Sequence, residues 1–172
     1  MNASPAWNQV TDTTAFNPKN VGLKLLDFEQ INDENLYAFG RAANDSIYEI
    51  KMGAAFIGVV QLSPAYRRPF PHPELITPQT IWGSSTAEVF YFSSGSSIYR
   101  YNPLNQSLQA LTTDFGGKDI TMLRMSDKGN TIIAGVDGSV LFLDVSTGKN
   151  GNITRRIDGI PGSPLDVTVR TQ

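Results

Sequence analysis

The stretch 119–158 constrains the fold most, because short apolar runs alternate there with turn-forming clusters at hairpin spacing. Its four runs are Ile120–Met125, Thr131–Val136, Val140–Val145 and Asn152–Ile157. Short runs rich in β-branched and aliphatic residues, joined by turns of the Asp-Gly type, are typical of antiparallel strands in hairpins. Four such strands within about 40 residues predict a meander with the layout of one β-propeller blade.

Two earlier stretches show the same organisation of apolar runs separated by turns. The three predicted blades cover approximately residues 23–62, 79–112 and 119–158, with spare strands at Ala6–Thr11 and Leu165–Arg170. We therefore expect an all-β chain, a partial β-propeller of about three four-stranded antiparallel blades with a spare strand at each end. The prediction treats the whole chain, residues 1–172, as a single propeller segment of a larger protein.

An internal repeat supports this interpretation. Ser46–Lys51, Ser97–Asn102 and Ser139–Asp144 align without gaps, each with a Ser, four mostly apolar positions and a polar residue. The first and second repeats begin 51 residues apart, and the second and third begin 42 residues apart. The longer interval is the one that contains the proline-rich stretch 63–77. Insertions in repeat proteins belong in such connections. A β-sandwich or jelly roll, in which similar strands arise by chance, remains the alternative.

The third predicted blade also carries recognisable turns. Ser126–Thr131 (Ser-Asp-Lys-Gly-Asn-Thr), followed by Gly138–Lys149 (Gly-Ser-Val-Leu-Phe-Leu-Asp-Val-Ser-Thr-Gly-Lys), resembles blades of WD40-like and quinoprotein-like propellers. Those blades place a D-G-K-type turn after the first strand and a D-x-x-T-G-K turn after the third. The chain is also similar to the propeller-like C-terminal part of PKD-like lipoproteins of Bacteroidetes. The resemblance implies a propeller in an exported or cell-surface protein.

About three blades are too few to close a propeller ring, which has roughly four to eight blades. The blade at each end would therefore have one face without a neighbouring blade. Each open end would expose an apolar patch of about 600 Å². At ~25 cal/mol per Å², leaving such a face in water loses on the order of 15 kcal/mol of the free energy gained by burying apolar surface. This loss is as large as the net stability of a typical domain. We therefore expect self-association through the open blade faces, either of a fragment or of two copies joined into a ring of about six or seven blades.

Composition excludes several classes of function. The formal net charge is −2 and there is no Cys, which disfavours nucleic-acid and anionic-membrane binding and excludes disulfides and thiolate metal sites. No apolar run approaches the ~20 residues that span a bilayer, so we expect no membrane insertion. The start, Met1–Trp7, has no basic region or apolar core, so it predicts no secretory signal and indicates a start inside a longer gene.

The proline-rich stretch 63–77 is the candidate binding element. Its prolines predict a long, stiff loop rather than a central strand. The candidate ligand-binding side chains in it are Tyr66, Arg67, Arg68, Phe70 and His72. Proline lowers the entropy lost on binding, and Tyr, Arg and Phe are common in hot spots and stack on sugars. The alternative is a loop that packs on a neighbouring blade or covers a subunit contact.

Motifs for catalysis are absent from the sequence. His72 is the single histidine, and no G-x-S-x-G, G-x-G-x-x-G or P-loop pattern occurs. We expect no metal site, no cofactor and no enzymatic activity. The predicted function is a non-catalytic binding or scaffold module for a protein or carbohydrate, located in the periplasm or at the cell surface. The alternative is part of a glycoside hydrolase or lyase whose active residues lie mostly outside this chain.

Overall fold

The computed structural model describes residues 23–32, 35–56, 60–76, 81–84 and 89–167. These residues form twelve β-strands and one short 3-10 helix, Pro73–Leu75. The strands make three antiparallel sheets of four strands each. The prediction of an all-β fold is thus confirmed. The predicted strand Ala6–Thr11 lies outside the described residues, and Leu165–Val167, the described part of the other spare strand, is not a strand.

The first sheet has the order β1-β2-β3-β4. Its strands are β1 (Leu23–Asn32), β2 (Asn35–Ala42), β3 (Ile47–Phe56) and β4 (Val60–Pro69). The side chains described in its two central strands are mostly buried, with Tyr37, Phe39 and Ile50 each 4% exposed or less. The sheet therefore supplies the core of its part of the chain.

The prediction of a loop from residue 63 onward is wrong for its first half. Residues up to Pro69 belong to β4, which pairs with β3 from Tyr48 to Phe56. Proline interrupts a central strand because it donates no N–H, but β4 is an edge strand and needs hydrogen bonds on one side only. The register shifts between Lys51 and Met52, so that one extra residue bulges out beside Pro64.

The second and third sheets repeat the same order, each strand pairing with its neighbour in sequence. The second contains β5 (Ile81–Ser84), β6 (Val89–Ser94), β7 (Ser97–Asn102) and β8 (Ser107–Ala110). The third contains β9 (Ile120–Met125), β10 (Thr131–Val136), β11 (Ser139–Asp144) and β12 (Asn152–Asp158). The glycines Gly95 and Gly138 adopt φ of 54° and 79° in the central turns of the two sheets, which suits tight hairpins.

The chain divides into two compact units, Met1–Phe70 and Pro71–Gln172. In the second unit, Tyr91 and Ile98 of the second sheet share one buried cluster with Leu123, Ile132 and the β11 leucines of the third. Strands β5 and β6 lie beside β9. Two sheets of this unit therefore pack face to face. The extent of the predicted single segment, residues 1–172, stays a prediction.

The opposite face of the third sheet is covered by the chain itself. Met122, Ile133 and Val140 point to that face and are 5%, 2% and 6% exposed. Ile160 and Val167, which follow β12, pack against them. The expectation of an open apolar face on this side of the third predicted blade is therefore wrong. Self-association stays a prediction, and this face does not support it because the face is covered.

Candidate functional site

The β3–β4 pair carries most of the predicted binding residues. Glu49 pairs with Arg68 and Ile50 with Arg67. Neighbouring residues of a strand point to opposite faces of the sheet, so the two arginines serve different surfaces. The structure therefore does not bring together the basic pair that the sequence suggested as one site.

Arg68 belongs to an ion pair whose carboxylate is buried and whose guanidinium residue is partly exposed. Its guanidinium donates hydrogen bonds from Nε and Nη2 to the carboxylate of Glu49. Glu49 is 0% exposed. Phe70 lies on the same side at 4% exposure, and its ring meets Phe39 edge-to-face at 5.4 Å between centroids. A buried carboxylate needs such a partner, because an isolated charge in an apolar environment is costly. Arg68 and Phe70 therefore fasten β4 to the sheet.

Arg67 is exposed on the other face of the sheet, where its guanidinium lies 4.6 Å from the centroid of the Tyr48 ring. Tyr48 is partly exposed, and Pro69, its partner in register, is exposed. We call this pair of side chains the Arg67–Tyr48 platform. A guanidinium beside an aromatic face is attracted electrostatically to the ring, and the contact limits its movement. The platform thus places the cation of an exposed residue against an aromatic ring.

The remaining two candidates, Tyr66 and His72, do not belong to this platform as the structure describes it. The side chain of Tyr66 is not among the described ones. His72 belongs to the second unit, where its ring meets Tyr101 edge-to-face at 6.2 Å and its Nδ1 lies 3.6 Å from Glu74 Oε1. His72 therefore packs in part against its own unit. Ligand binding by the five candidate residues stays a prediction.

Sequence reasoning missed Tyr48 and Glu49 as members of this cluster. Both lie in the repeat Ser46–Lys51, of which residues 47–51 belong to β3. Their partners on β4 were assigned to a loop, so no cross-strand register was available to place an arginine beside them. A buried acid between Ile47 and Ile50 was the available signal, since such a residue needs a cationic neighbour.

The carboxylates of the third sheet serve turns and strand ends. Asp144 Oδ1 accepts hydrogen bonds from Ser146 Oγ at 2.6 Å and Ser146 N at 2.9 Å, which lower the pKa of Asp144. Hydrogen bonds from Ser139 and Arg156 likewise lower the pKa of Asp158. Each stabilised carboxylate closes a local contact in its own hairpin. Among the described residues no cluster of three His, Asp or Glu residues could hold a metal ion.

The chain matches no protein-family model, and a search of curated proteins returns no match. The fold and the site geometry are therefore the basis for any functional assignment. Within the described part of the chain, no helix is both long and apolar enough to span a membrane.

Proposed function

We propose that this chain is a non-catalytic binding or scaffold module, built as a segment of β-propeller, that recognises a protein or a glycan. Three consecutive antiparallel sheets with the strand order of a meander support the propeller assignment. In the second unit, β9 lies beside β5, so the first strands of two successive sheets are neighbours, as they are around a propeller axis. An exported or cell-surface location, which the resemblance implies, is part of this proposal.

The observation that carries the binding proposal is the Arg67–Tyr48 platform. Arg67 lies on the edge strand β4 and is exposed, and its guanidinium lies 4.6 Å from the centroid of the Tyr48 ring on β3. Arginine and tyrosine contribute disproportionately to protein interfaces, and tyrosine rings also pack against sugars. A carboxylate-bearing glycan or an acidic protein surface complements this platform in charge, because Arg67 is an exposed cation.

The test is a glycan array together with capture of purified candidate proteins, using the full chain and its variants. Arg67→Ala and Tyr48→Leu should each weaken a detected interaction on the order of tenfold, since a central interface arginine or aromatic contributes that much. Arg41→Ala is the matched control, because Arg41 is another arginine of the first sheet and pairs with Asp45 at 3.6 Å. It should leave binding unchanged.

Phe70→Ala is unsuitable for this test, since Phe70 is buried and its loss would report on stability. If Arg67→Ala and Tyr48→Leu both leave every detected interaction unchanged, the platform is not the binding site.

A further inference from the structure

One edge of the third sheet is formed by β12, which lies at the end of the strand order and pairs with β11. All seven residues of β12 are exposed. An edge strand pairs on one side, so alternate N–H and C=O groups of its backbone point away from the sheet and can pair with another strand. The second sheet and residues 159–167 cover the faces of the third sheet and leave this edge accessible.

The edge carries a net positive charge although the chain as a whole is acidic. Two arginines and one aspartate give β12 a formal charge of +1, against −2 for the whole chain. Arg155 pairs with Phe142, and its guanidinium lies 5.5 Å from the centroid of the Phe142 ring. On the other face, Arg156 Nε donates a hydrogen bond to Asp158 Oδ1 at 2.6 Å. Each arginine is therefore held beside its own sheet, with one on either face of the edge.

A bulge limits the regular part of this edge to a short stretch. The register passes from Arg155 directly to Ile153, so that Thr154 lies between two successive pairs. The hydroxyl of Thr154 donates a hydrogen bond to the carbonyl of Phe142 at 3.2 Å. Bulges increase the local twist and interrupt pairing with a further strand. A partner strand therefore has the regular stretch from Arg155 to Asp158 to pair with.

We propose that β12 is a docking edge for an extended acidic segment of another protein, which adds to the third sheet as a fifth strand. Strand addition supplies backbone hydrogen bonds, and the side chains that meet across the two strands supply specificity. Acidic residues opposite Arg155 and Arg156 form favourable cross-strand pairs, one on each face, whereas basic residues there are repelled. This inference does not depend on the Arg67–Tyr48 platform.

The same two arginines disfavour other occupants of the edge. Two copies of β12 that pair in register would place arginines opposite arginines, which is unfavourable. Specificity commonly combines attraction of one partner with repulsion of others, and these arginines supply both. The corresponding edge of the second sheet, β8, has four residues and no charged side chain. The second sheet therefore offers no comparable charge selectivity at its edge.

The test is a nuclear magnetic resonance titration of the isotope-labelled full chain with the end-blocked peptide Thr-Val-Glu-Glu-Val-Thr. Saturable shifts should appear at the amides of 152–158, and hydrogen exchange of these amides should slow. The counterpart Thr-Val-Lys-Lys-Val-Thr should bind at least about tenfold more weakly, because two attractive pairs become repulsive. The acidic peptide N-methylated at both glutamates should lose binding, because it lacks backbone donors that strand addition requires.

The test variant is Arg155→Glu, which reverses one charge of the edge. It should weaken binding of the acidic peptide on the order of tenfold and strengthen binding of the lysine peptide. The matched control is Lys128→Glu, which makes the same charge change in the exposed turn between β9 and β10 of the same sheet. It should leave both affinities within about twofold of the wild type. Circular dichroism should show that both variants are folded.

Four outcomes overturn the proposal. The first is the absence of saturable shifts at 152–158 with the acidic peptide at millimolar concentration. The second is equal binding of the lysine peptide, which would show that charge does not select the partner. The third is undiminished binding of the N-methylated peptide, which would show that no strand is added. The fourth is an equal effect of Arg155→Glu and Lys128→Glu, which would show that only the net charge of the chain matters.

Discussion

At the scale of single residues, the first sheet depends on the ion pair between Arg68 and Glu49. Glu49 is 0% exposed, so its carboxylate has lost its hydrogen bonds to water. The ion pair with Arg68 replaces them. A buried pair of this kind contributes little when compared with an apolar substitute, but it is strongly destabilising to remove one partner alone. Glu49 and Arg68 are also partners in the β3–β4 register, on the Tyr48–Lys51 side of the bulge beside Pro64.

Arg68→Ala should lower the free energy of unfolding by about 2–3 kcal/mol, because it leaves the Glu49 carboxylate buried without its guanidinium. The measurement is chemical denaturation followed by fluorescence. Arg67→Ala is the matched control and should cost less than about 1 kcal/mol, since Arg67 is exposed and stacked on a ring. Equal losses for the two variants would contradict the assignment of Arg68 to a buried pair.

Three carboxylates of the second unit predict an acid limit to its stability. Hydrogen bonds from Ser146, Ser139 and Arg124 lower the pKa values of Asp144, Asp158 and Asp166, respectively. A group whose pKa is lower in the folded state contributes stability above its unfolded pKa of about 3.9, and this contribution is lost as pH falls through the folded pKa. Thermal denaturation from pH 7 to pH 2 should show a loss of stability below about pH 4.

The control for this pH dependence is Asp158→Asn. It should flatten the acid limb of the curve, because one of the titrating groups with a lowered pKa is gone. An unchanged acid limb in this variant would show that Asp158 makes no pH-dependent contribution.

At the scale of elements, the strands of the third sheet were predictable and β4 was not. The runs 120–125 and 131–136 match β9 and β10 residue for residue, because a Ser-Asp-Lys-Gly turn separates the two runs and an Asp-Gly turn ends the second. In β4, two prolines and two arginines conceal a strand that pairs on one side only. The Arg67–Tyr48 platform depends on that pairing, so local sequence could suggest Arg67 but not Tyr48.

The turn between β11 and β12 offers a paired test of close packing. Gly151 has φ of 87°, and a Cβ on it would lie 2.9 Å from Leu111 Cδ1. Gly148 has φ of 78° and open space around its Cβ position. Gly151→Ala should therefore destabilise by about 2–3 kcal/mol, as it combines strain with a clash, whereas Gly148→Ala should cost about 1 kcal/mol from strain alone.

Chemical denaturation of both variants measures the difference. If Gly151→Ala is no more costly than Gly148→Ala, then the turn does not pack on Leu111 as described.

At the scale of the whole molecule, three sheets follow one another along the chain, and the second and third are stacked. In the second unit this stacking gives the third sheet two distinct apolar interiors. One is shared with the second sheet, and the other lies beneath residues 159–167, which follow β12. A β-sandwich, the alternative for such a sequence, would instead enclose a single interior between two layers. The hydrophobic pattern alone does not distinguish these arrangements, because alternating strands suit both.

The most direct test is a methyl NOE map of the full chain. The account predicts cross-peaks from Ile98 to at least one of Leu123, Leu141 and Leu143, since all four lie in the interior between the second and third sheets. It also predicts cross-peaks from Val167 to at least one of Met122, Ile133 and Val140, on the other face of the third sheet. Cross-peaks from Ile98 to Met122 or Val140 would merge the two interiors and contradict the stacked arrangement.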